Sequence, residues 1–194
     1  MNFRELLSQK VELSRDQLEQ LTRHYDLLHR WNPIINLTRI ENLADAVNLH
    51  YCESILLARD LPQGPLSIAD VGSGAGFPGI PVAIVRPECD VTLIESHKRK
   101  AVFLREVARG IPNLRVIDTR AEDVSGQFDW VVDRAVSPAD VLRLPLASNY
   151  AILMSEPDLA KLPRPVSVTK YPWGNNRVLA MFHVEHDRID QTSG

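Results

Sequence analysis

The chain has 194 residues, 44% of them apolar and 24% charged, which suits one globular domain with a sizeable core and a small appendage. The formal net charge of −3 argues against a protein that coats nucleic acid non-specifically, although a local basic face stays compatible with it. There is no run of eighteen apolar residues, and the first fourteen residues carry two acids and two bases, so we expect neither a membrane span nor a secretory signal. Cys52 and Cys89 fit no metal spacing, and we expect reduced thiols in a cytoplasmic protein.

The first third of the chain is predicted to be helical. Ser14 and Gln17 have the spacing of a capping box, and an apolar stripe at helical intervals follows. The stripe consists of Leu18, Leu21, Tyr25, Leu28 and Trp31. We expect Pro33 to end this helix and Asn42 to begin a second helical stretch that ends near Pro62.

After Gly64 the pattern changes to short apolar strands that alternate with helices. Five strands are predicted in LSIADVG, DVTLIE, LRVIDTR, FDWVVDRA and YAILM, with helices from near Pro78, over 96–110 and around Ala139 to Leu146. VSVTKYP and VLAMFHVEH are predicted to form a closing hairpin around Gly174 and Asn175. The alternation predicts an α/β fold with a mostly parallel sheet. We expect a helical N-terminal extension over 1–62, a cofactor-binding α/β domain over 63–187 and a flexible tail over 188–194.

A glycine-rich turn, DVGSGAGFPGIP, follows the first predicted strand from Asp70 to Pro81. Gly74, Gly76 and Gly79 fit the pattern that brings backbone close to a nucleotide cofactor, whether NAD, FAD or S-adenosylmethionine. Asp70 favours S-adenosylmethionine, because a carboxylate there would repel a pyrophosphate and stabilise a sulfonium and an ammonium group. The alternative role for Asp70 is that of a capping or turn carboxylate.

Two further turns point to an adenosine ligand. Glu95 ends the second strand and can accept hydrogen bonds from both ribose hydroxyls, as it would for NAD as well. The segment Arg120 to Asp123 follows the third strand, where its backbone and a carboxylate can read the adenine amine. The alternative for this segment is a solvated loop.

Five segments occur in a characteristic order: HRWNPIINLT at 29–38, HYCES at 50–54, DVGSGAGFPGIPVAIVRPE at 70–88, ESHKRKAVFL at 95–104 and DRA at 133–135. With them the chain resembles the ribosomal RNA small-subunit methyltransferase G family, also called glucose-inhibited division protein B. The resemblance covers about residues 14–180, and the block at 70–88 is its most specific part. It implies a class I S-adenosylmethionine-dependent methyltransferase fold, and methylation of N7 of a guanine in the small-subunit RNA of bacterial ribosomes.

Together with the reasoning above, the resemblance implies roles for individual residues. The cofactor residues are expected to be Asp70, Gly72, Ser73, Gly74, Gly76, Phe77, Glu95, Ala121, Glu122 and Arg134. Arg134 is expected to face both the cofactor and the incoming base as a positioning residue, or else to form a salt bridge with Asp133 or another acid at the sheet end. Asn36, Thr38, His50 and Ser54 match the N-terminal motifs and are expected to line the mouth of the active site.

Three positions depart from the family pattern. Glu53 stands where an aspartate is usual, and Asp133 stands where a serine is usual. The fifth strand runs into Met154 and Ser155, where a Lys-Gly pair is common. These departures concern substrate handling rather than cofactor binding.

The chemistry of guanine N7 requires no general base, because N7 has a free lone pair and no proton to lose. We therefore expect positioning and desolvation to supply the catalysis. Lys98, Arg105 and Arg109 fall on one helical face and, with Arg115 and Arg120, are expected to contact phosphates, the alternative being a solvated face. The expected partner is the small-subunit ribosomal RNA or the small ribosomal subunit, bound by a monomer, with no membrane and no metal ion.

Two alternative functions stay open at this point. One is a methyltransferase that acts on a small molecule, and the other is a non-catalytic RNA- or ribosome-binding protein that retains the cofactor pocket. A nicotinamide oxidoreductase is disfavoured by Asp70 and by the lack of room for a second catalytic domain.

Overall fold

The computed structural model describes residues 1–40, 42–172 and 176–186. The part before residue 62 is helical: α1 Phe3–Ser8, α2 Arg15–Ile35, α3 Leu43–Asp45, a π-helical segment Ala46–Cys52 and α4 Glu53–Asp60. The capping box is confirmed, because the Ser14 hydroxyl accepts the Gln17 N–H while the Gln17 side chain accepts the Ser14 N–H. Asn42 caps α3, as the sequence predicts.

The prediction that Pro33 ends α2 is wrong. The helix continues through Pro33 to Ile35 and ends at Asn36, whose φ of 52° is left-handed. Proline lacks only the N–H that would reach the carbonyl of His29, and His29 lies on the exposed side of the helix. A single lost bond in the last turn therefore does not stop the helix.

The second part of the chain forms a seven-stranded sheet in the order β3-β2-β1-β4-β5-β7-β6. The strands are β1 Ser67–Val71, β2 Asp90–Ile94, β3 Leu114–Ile117, β4 Trp130–Asp133, β5 Asn149–Ser155, β6 Ser167–Lys170 and β7 Arg177–His183. The first five are parallel, and β7 is antiparallel to both β5 and β6. The mostly parallel α/β sheet with a closing hairpin is thereby confirmed, while the hairpin turn at Gly174 and Asn175 lies outside the described residues.

Short helices connect the strands: α5 Gly79–Val85, α6 Lys98–Ala108, a 3₁₀ turn Ala121–Asp123, α7 Pro138–Val141 and α8 Glu156–Leu159. The helix predicted around Ala139 to Leu146 is thus shorter and begins one residue earlier. The single proton of the Tyr150 hydroxyl is shared between the carbonyl oxygens of Leu144 and Ala147, at 2.5 and 2.8 Å, in the segment that follows α7. The tail predicted over 188–194 lies outside the described residues.

Two apolar clusters cover the two faces of the sheet. The larger one joins the N-terminal helices to the sheet, for example through Leu21, Tyr51, Ile55 and Leu93. The N-terminal extension therefore packs its apolar side directly on the sheet, close to the glycine turn. In the described part of the chain we find no helix with the length and apolar character to cross a membrane, and no group of three or more side chains suited to hold a metal ion.

Candidate active site

The glycine turn lies at the carboxyl end of β1, where the backbone at Gly72 leaves no room for a side chain. Gly72 has a φ of +66°, and a Cβ there would lie 2.4 Å from Val136 Cγ2. The amides of Gly72 and Ser73 both donate to the carbonyl of Ile94 at the end of β2. The turn is thereby anchored on the neighbouring strand, with its backbone open to a ligand.

Two cavities meet at this turn. Cavity A has a volume of about 340 Å³ and lies between the turn, the 3₁₀ segment with Ala121 and Glu122, and α7. Cavity B has a volume of about 480 Å³ and lies between the turn and the N-terminal loop Leu37 to Ile40. Gly72 and Val136 line both cavities, so a ligand in one can reach the other along the Gly72 backbone.

Most of the predicted cofactor residues line these cavities. Gly72, Ala121 and Glu122 line cavity A, and Gly72, Ser73, Gly74, Phe77 and Arg134 line cavity B. Asp70, Gly76 and Glu95 do not line either cavity. At Gly76 a Cβ would lie 2.1 Å from Ile80 Cδ1, so this glycine allows α5 to pack against the turn.

Asp70 acts as a capping carboxylate, which is the alternative role that the sequence left open. Its side chain is fully buried, and Oδ2 accepts the N–H of Gly79 at the start of α5 at 3.0 Å. Burial raises the pKa of this carboxyl well above its usual value. Asp70 therefore makes a capping contact with the start of α5 through Oδ2, and its role toward the cofactor stays a prediction.

Glu95 connects the end of β2 to the turn. Its Oε2 accepts the Gly74 N–H at 2.8 Å, and its Oε1 accepts the His97 N–H at 2.7 Å. Each oxygen keeps a second lone pair, so the role of Glu95 toward the ribose hydroxyls stays a prediction.

A cluster of buried polar side chains borders cavity B on the side of α4. Glu53 is fully buried and accepts both arms of the Arg177 guanidinium, at 3.1 Å to Oε1 and 2.8 Å to Oε2. The Nε atom of Arg134 lies 3.9 Å from the same carboxylate. The ion pair that the sequence considered for Arg134 therefore exists, but with Glu53 rather than Asp133. Burial lowers the pKa of Arg134 to about 10, so the guanidinium stays charged at neutral pH.

His50 is fixed as a neutral imidazole in the wall of cavity B. Arg134 Nη1 donates to Nδ1, and guanidinium can only donate, so the ring proton lies on Nε2. Nε2 in turn lies 2.9 Å from Thr38 Oγ1, which also accepts the Ile40 N–H. Burial, followed by the neighbouring Arg134 charge, lowers the pKa of His50 to about 2. The ring also stacks on Phe77 at 4.5 Å.

Of the predicted mouth residues, Thr38 and His50 line cavity B, whereas Asn36 lies further out. Asn36 lines cavity C, which has a volume of about 600 Å³ and shares the wall Thr38 to Ile40 and His50 with cavity B. The prediction for Ser54 is wrong. Its side chain is fully buried, and the hydroxyl donates to the His50 carbonyl one helical turn earlier, so Ser54 supports the helix that carries His50.

The predicted basic face of α6 is exposed, but its charges have acidic partners. Lys98 and Arg105 lie 3.9 Å and 2.9 Å from Asp118, and Arg109 lies 2.6 Å from Glu106. These pairs reduce the positive potential of the face. Three cations that line cavity B were missed by sequence reasoning: Arg39, Lys100 and Arg177. Lys100 lies within the basic run His97 to Lys100, which was the available signal, but nothing in the sequence marks Arg177.

Arg177 is the first residue of β7 and lies opposite the end of β5. Its Cα is the antiparallel partner of Ser155, the second residue of the Met154-Ser155 pair that stands where Lys-Gly is common in the family pattern. The lysine position is Met154, which pairs with Val178, so Arg177 lies one register position away and on the opposite face of the sheet.

Solved methyltransferase structures share this fold. A Burkholderia thailandensis 1,6-didemethyltoxoflavin-N1-methyltransferase superposes with a TM-score of 0.56 over 89% of this chain and 92% of that one, at 15% identity. A SAM-dependent methyltransferase from Aquifex aeolicus gives a TM-score of 0.53 over 71% and 93%, at 17% identity. Identities this low show the fold alone. The fold of the chain, a mostly parallel sheet with a glycine turn after its first strand, is the fold of class I S-adenosylmethionine-dependent methyltransferases.

Sequence relatives identify the family. The model of the GidB family, rRNA small subunit methyltransferase G, matches residues 17–148. The ribosomal RNA small subunit methyltransferase G of Halorhodospira halophila is 39% identical over 166 residues, which cover 79% of this chain and 78% of that protein. The protein of the same name from Nitrosomonas europaea is 42% identical over 133 residues, 65% of this chain and 61% of that protein. The chain belongs to the rRNA small subunit methyltransferase G family, and S-adenosylmethionine is its methyl donor.

The residues present suit this cofactor. The backbone at Gly72 faces both cavities without a side chain, and cavity A offers the Glu122 carboxylate beside apolar walls formed by Ile94, Val141 and Leu144. S-adenosylmethionine consists of a flat base with one polar edge and a polar chain that extends from it, and this shape matches such a pair of cavities.

Proposed function

We propose that this protein transfers a methyl group from S-adenosylmethionine to N7 of a guanine in small-subunit ribosomal RNA. The observation that carries the proposal is the lack of an available base in cavity B. Among the described residues that line it, none is Asp, Glu, Cys or Tyr, and both ring nitrogens of His50 have partners. A nucleophile that must lose a proton finds no acceptor there, whereas N7 attacks with a free lone pair. Family membership supports the same reaction.

The cofactor residues act in two groups. Bound S-adenosylmethionine supplies an electrophilic methyl group. Ala121 and Glu122 would hold its adenosine, and Gly72, Ser73, Gly74 and Phe77 would form the wall next to the rest of it. Asp70, Gly76 and Glu95 shape the turn from beneath, through bonds to Gly79 and Gly74 and the packing of Ile80.

The RNA would be bound mainly at the cationic rim of cavity B. Arg134 is held by Glu53 and His50, so its remaining donors have a fixed direction and can orient the O6 edge of the guanine or the carboxylate of the cofactor. Arg177 lines cavity B and is proposed to contact an RNA phosphate there. Lys98, Arg105 and Arg109 would add a weaker outer contact, because each has an acidic partner.

The partner is proposed to be the small-subunit RNA or the assembled small subunit, bound in the cytoplasm by a monomer. The oligomeric state is checked by light scattering during size-exclusion chromatography.

The direct test measures N7-methylguanine in small-subunit RNA by nucleoside mass spectrometry. We expect one N7-methylguanine per RNA in the parent strain, none in a strain that lacks this protein, and restoration by the parent gene but not by Arg134→Ala. Purified protein should methylate small subunits from the deletion strain and not free guanosine. Methylation of free nucleosides would favour a small-molecule enzyme, and an unchanged N7-methylguanine content would overturn the proposal.

A further inference from the structure

One buried histidine in the N-terminal extension forms a hydrogen bond with the glycine turn. His24 lies on α2 and is fully buried. Its Nε2 atom lies 3.0 Å from the carbonyl oxygen of Ala75, and its Nδ1 atom lies 3.1 Å from the hydroxyl of Tyr51 in the π-helical segment. This pair of bonds crosses between the helical extension and the α/β part of the chain.

The partners determine the direction of both hydrogen bonds. A carbonyl can only accept, so the ring proton of His24 lies on Nε2 and is donated to Ala75. Nδ1 then has a free lone pair, which accepts the hydroxyl proton of Tyr51. Burial lowers the pKa of His24 to about 4, so this neutral form persists through the physiological range.

The bonded carbonyl belongs to the most deformable part of the turn. Ala75 stands between Gly74 and Gly76, both with positive φ. Glycines lose much conformational entropy when they are fixed, so such a turn needs external contacts to keep one shape. Glu95 holds it from β2 through the Gly74 amide, and His24 holds it from α2 through the next carbonyl. Gly74 and Ala75 both line cavity B.

His24 also contacts the far end of the turn. The centroid of its ring lies 5.1 Å from that of Phe77. Phe77 lines cavity B and stacks on His50, with ring centroids 4.5 Å apart. The position of α2 therefore affects the positions of Phe77 and His50, and both of these residues line cavity B.

We propose that His24 is a positioning residue for cofactor binding, and that the helical extension fixes the shape of the cofactor turn through the bond from His24 to Ala75. The proposal rests on the proposed cofactor role of the turn. It assigns the extension a part in cofactor affinity, beyond any contact that it makes with RNA.

Two amide variants separate this role from simple core packing. The Nε2 amide of His24→Gln reaches about as far from the backbone as the imidazole Nε2 and can still donate to Ala75. The shorter His24→Asn reaches only the position of Nδ1 and can retain just the Tyr51 contact. We expect S-adenosylhomocysteine to bind His24→Gln within about threefold of the parent and His24→Asn about tenfold more weakly, as for one lost buried hydrogen bond. The binding is measured by titration calorimetry, with the melting temperature recorded alongside.

Equal affinities of the Gln and Asn variants would overturn the proposal, because only the Gln amide can reach the Ala75 carbonyl. A measurement on the parent protein covers the case in which a variant does not fold. Nitrogen-15 spectra of the His24 ring should show a proton on Nε2 that persists at pH 6, and an Nδ1-protonated or doubly protonated ring would overturn the proposal. If the parent itself fails to bind S-adenosylhomocysteine, the cofactor role of the turn fails instead.

Discussion

Glu53 and Arg177 are 124 positions apart in the chain, yet the buried carboxylate of one receives both arms of the guanidinium of the other. The pair joins the start of α4 to the start of β7, at the border of cavity B. Because Arg134 approaches the same carboxylate, one acid compensates two cations and leaves a net positive charge facing the cavity. Such a site attracts a phosphate while keeping its cations in fixed directions.

Replacing the acid of this pair should lower stability. Glu53→Gln leaves two partly buried guanidinium groups without their carboxylate, so we expect the free energy of unfolding to fall by about 2–4 kcal/mol, measured by urea denaturation. Glu106→Gln, which removes the acid of the exposed pair with Arg109, should change it by less than about 0.5 kcal/mol. Similar losses in the two variants would contradict the buried role of Glu53.

Removing the positive charge of Arg177 should weaken RNA binding more than cofactor binding. For Arg177→Met we expect the slope of log K against log salt for small-subunit RNA to flatten by about 0.7–1, the value for one phosphate contact. Arg109→Met is the comparison, because Arg109 is exposed and paired, and its slope should change less. Equal changes in the two slopes would argue for a diffuse basic surface instead of a contact in cavity B.

A methyl group at position 72 should block cofactor binding. In Gly72→Ala the new Cβ must displace Val136 between the two cavities, and we expect affinity for S-adenosylhomocysteine to fall by at least about tenfold. Gly64→Ala is the matched control, because Gly64 also has a positive φ but no atom within 4 Å of the added Cβ. Both variants should lose about 1 kcal/mol of stability through backbone strain. Parent-like affinity in Gly72→Ala would show that the ligand does not pass this point.

Asp133 should make stability fall as pH rises. The side chain is fully buried, and burial raises its pKa from 3.8 to about 7. Between those values the folded state holds a proton that the unfolded state has released, so stability decreases with rising pH by about 1.4 kcal/mol per unit at most. Asp133→Asn removes this term, and its stability relative to the parent should therefore be greater at pH 8 than at pH 5. Urea denaturation at both pH values measures the difference. A relative stability that does not change with pH would show that the carboxyl titrates normally.

Methyl transfer should be insensitive to pH near neutrality. His50 has a pKa of about 2, and its Nδ1 lone pair already accepts a hydrogen bond from Arg134. The ring therefore has no free lone pair that could accept a proton from the substrate. The single-turnover rate at saturating cofactor and RNA should be flat from about pH 6 to 8.5, the range in which a histidine base would titrate. His50→Gln should keep the flat profile even if it lowers the rate. A limb near neutrality that disappears in His50→Gln would identify His50 as a base, and would replace N7 by a nucleophile that carries a proton.

Local patterns made the turn and most of the fold predictable. The strands are predicted from apolar runs, and the turn is predicted from glycines a few residues apart. Both signals are local, so they do not depend on how the rest of the chain packs. Asp70 shows the limit of this reasoning: its presence was visible, but its depth beneath the turn depends on how α5 packs. The cluster of Glu53, Arg134 and Arg177 could not be foreseen, because its members meet only when β7 pairs with β5 in one particular register.

The antiparallel insertion of β7 also sets the order in which this enzyme becomes competent. During synthesis, the glycine turn and cavity A can form once β1 to β4 and α7 exist, so a partly made molecule could already hold the cofactor. Glu53, the first residue of α4, is buried and receives its bidentate guanidinium partner only when the last strand joins the sheet. Until that strand docks, the buried acid is balanced by Arg134 alone, and the lining of cavity B lacks the guanidinium of Arg177. The cationic lining of cavity B is thus complete only in molecules whose sheet is complete.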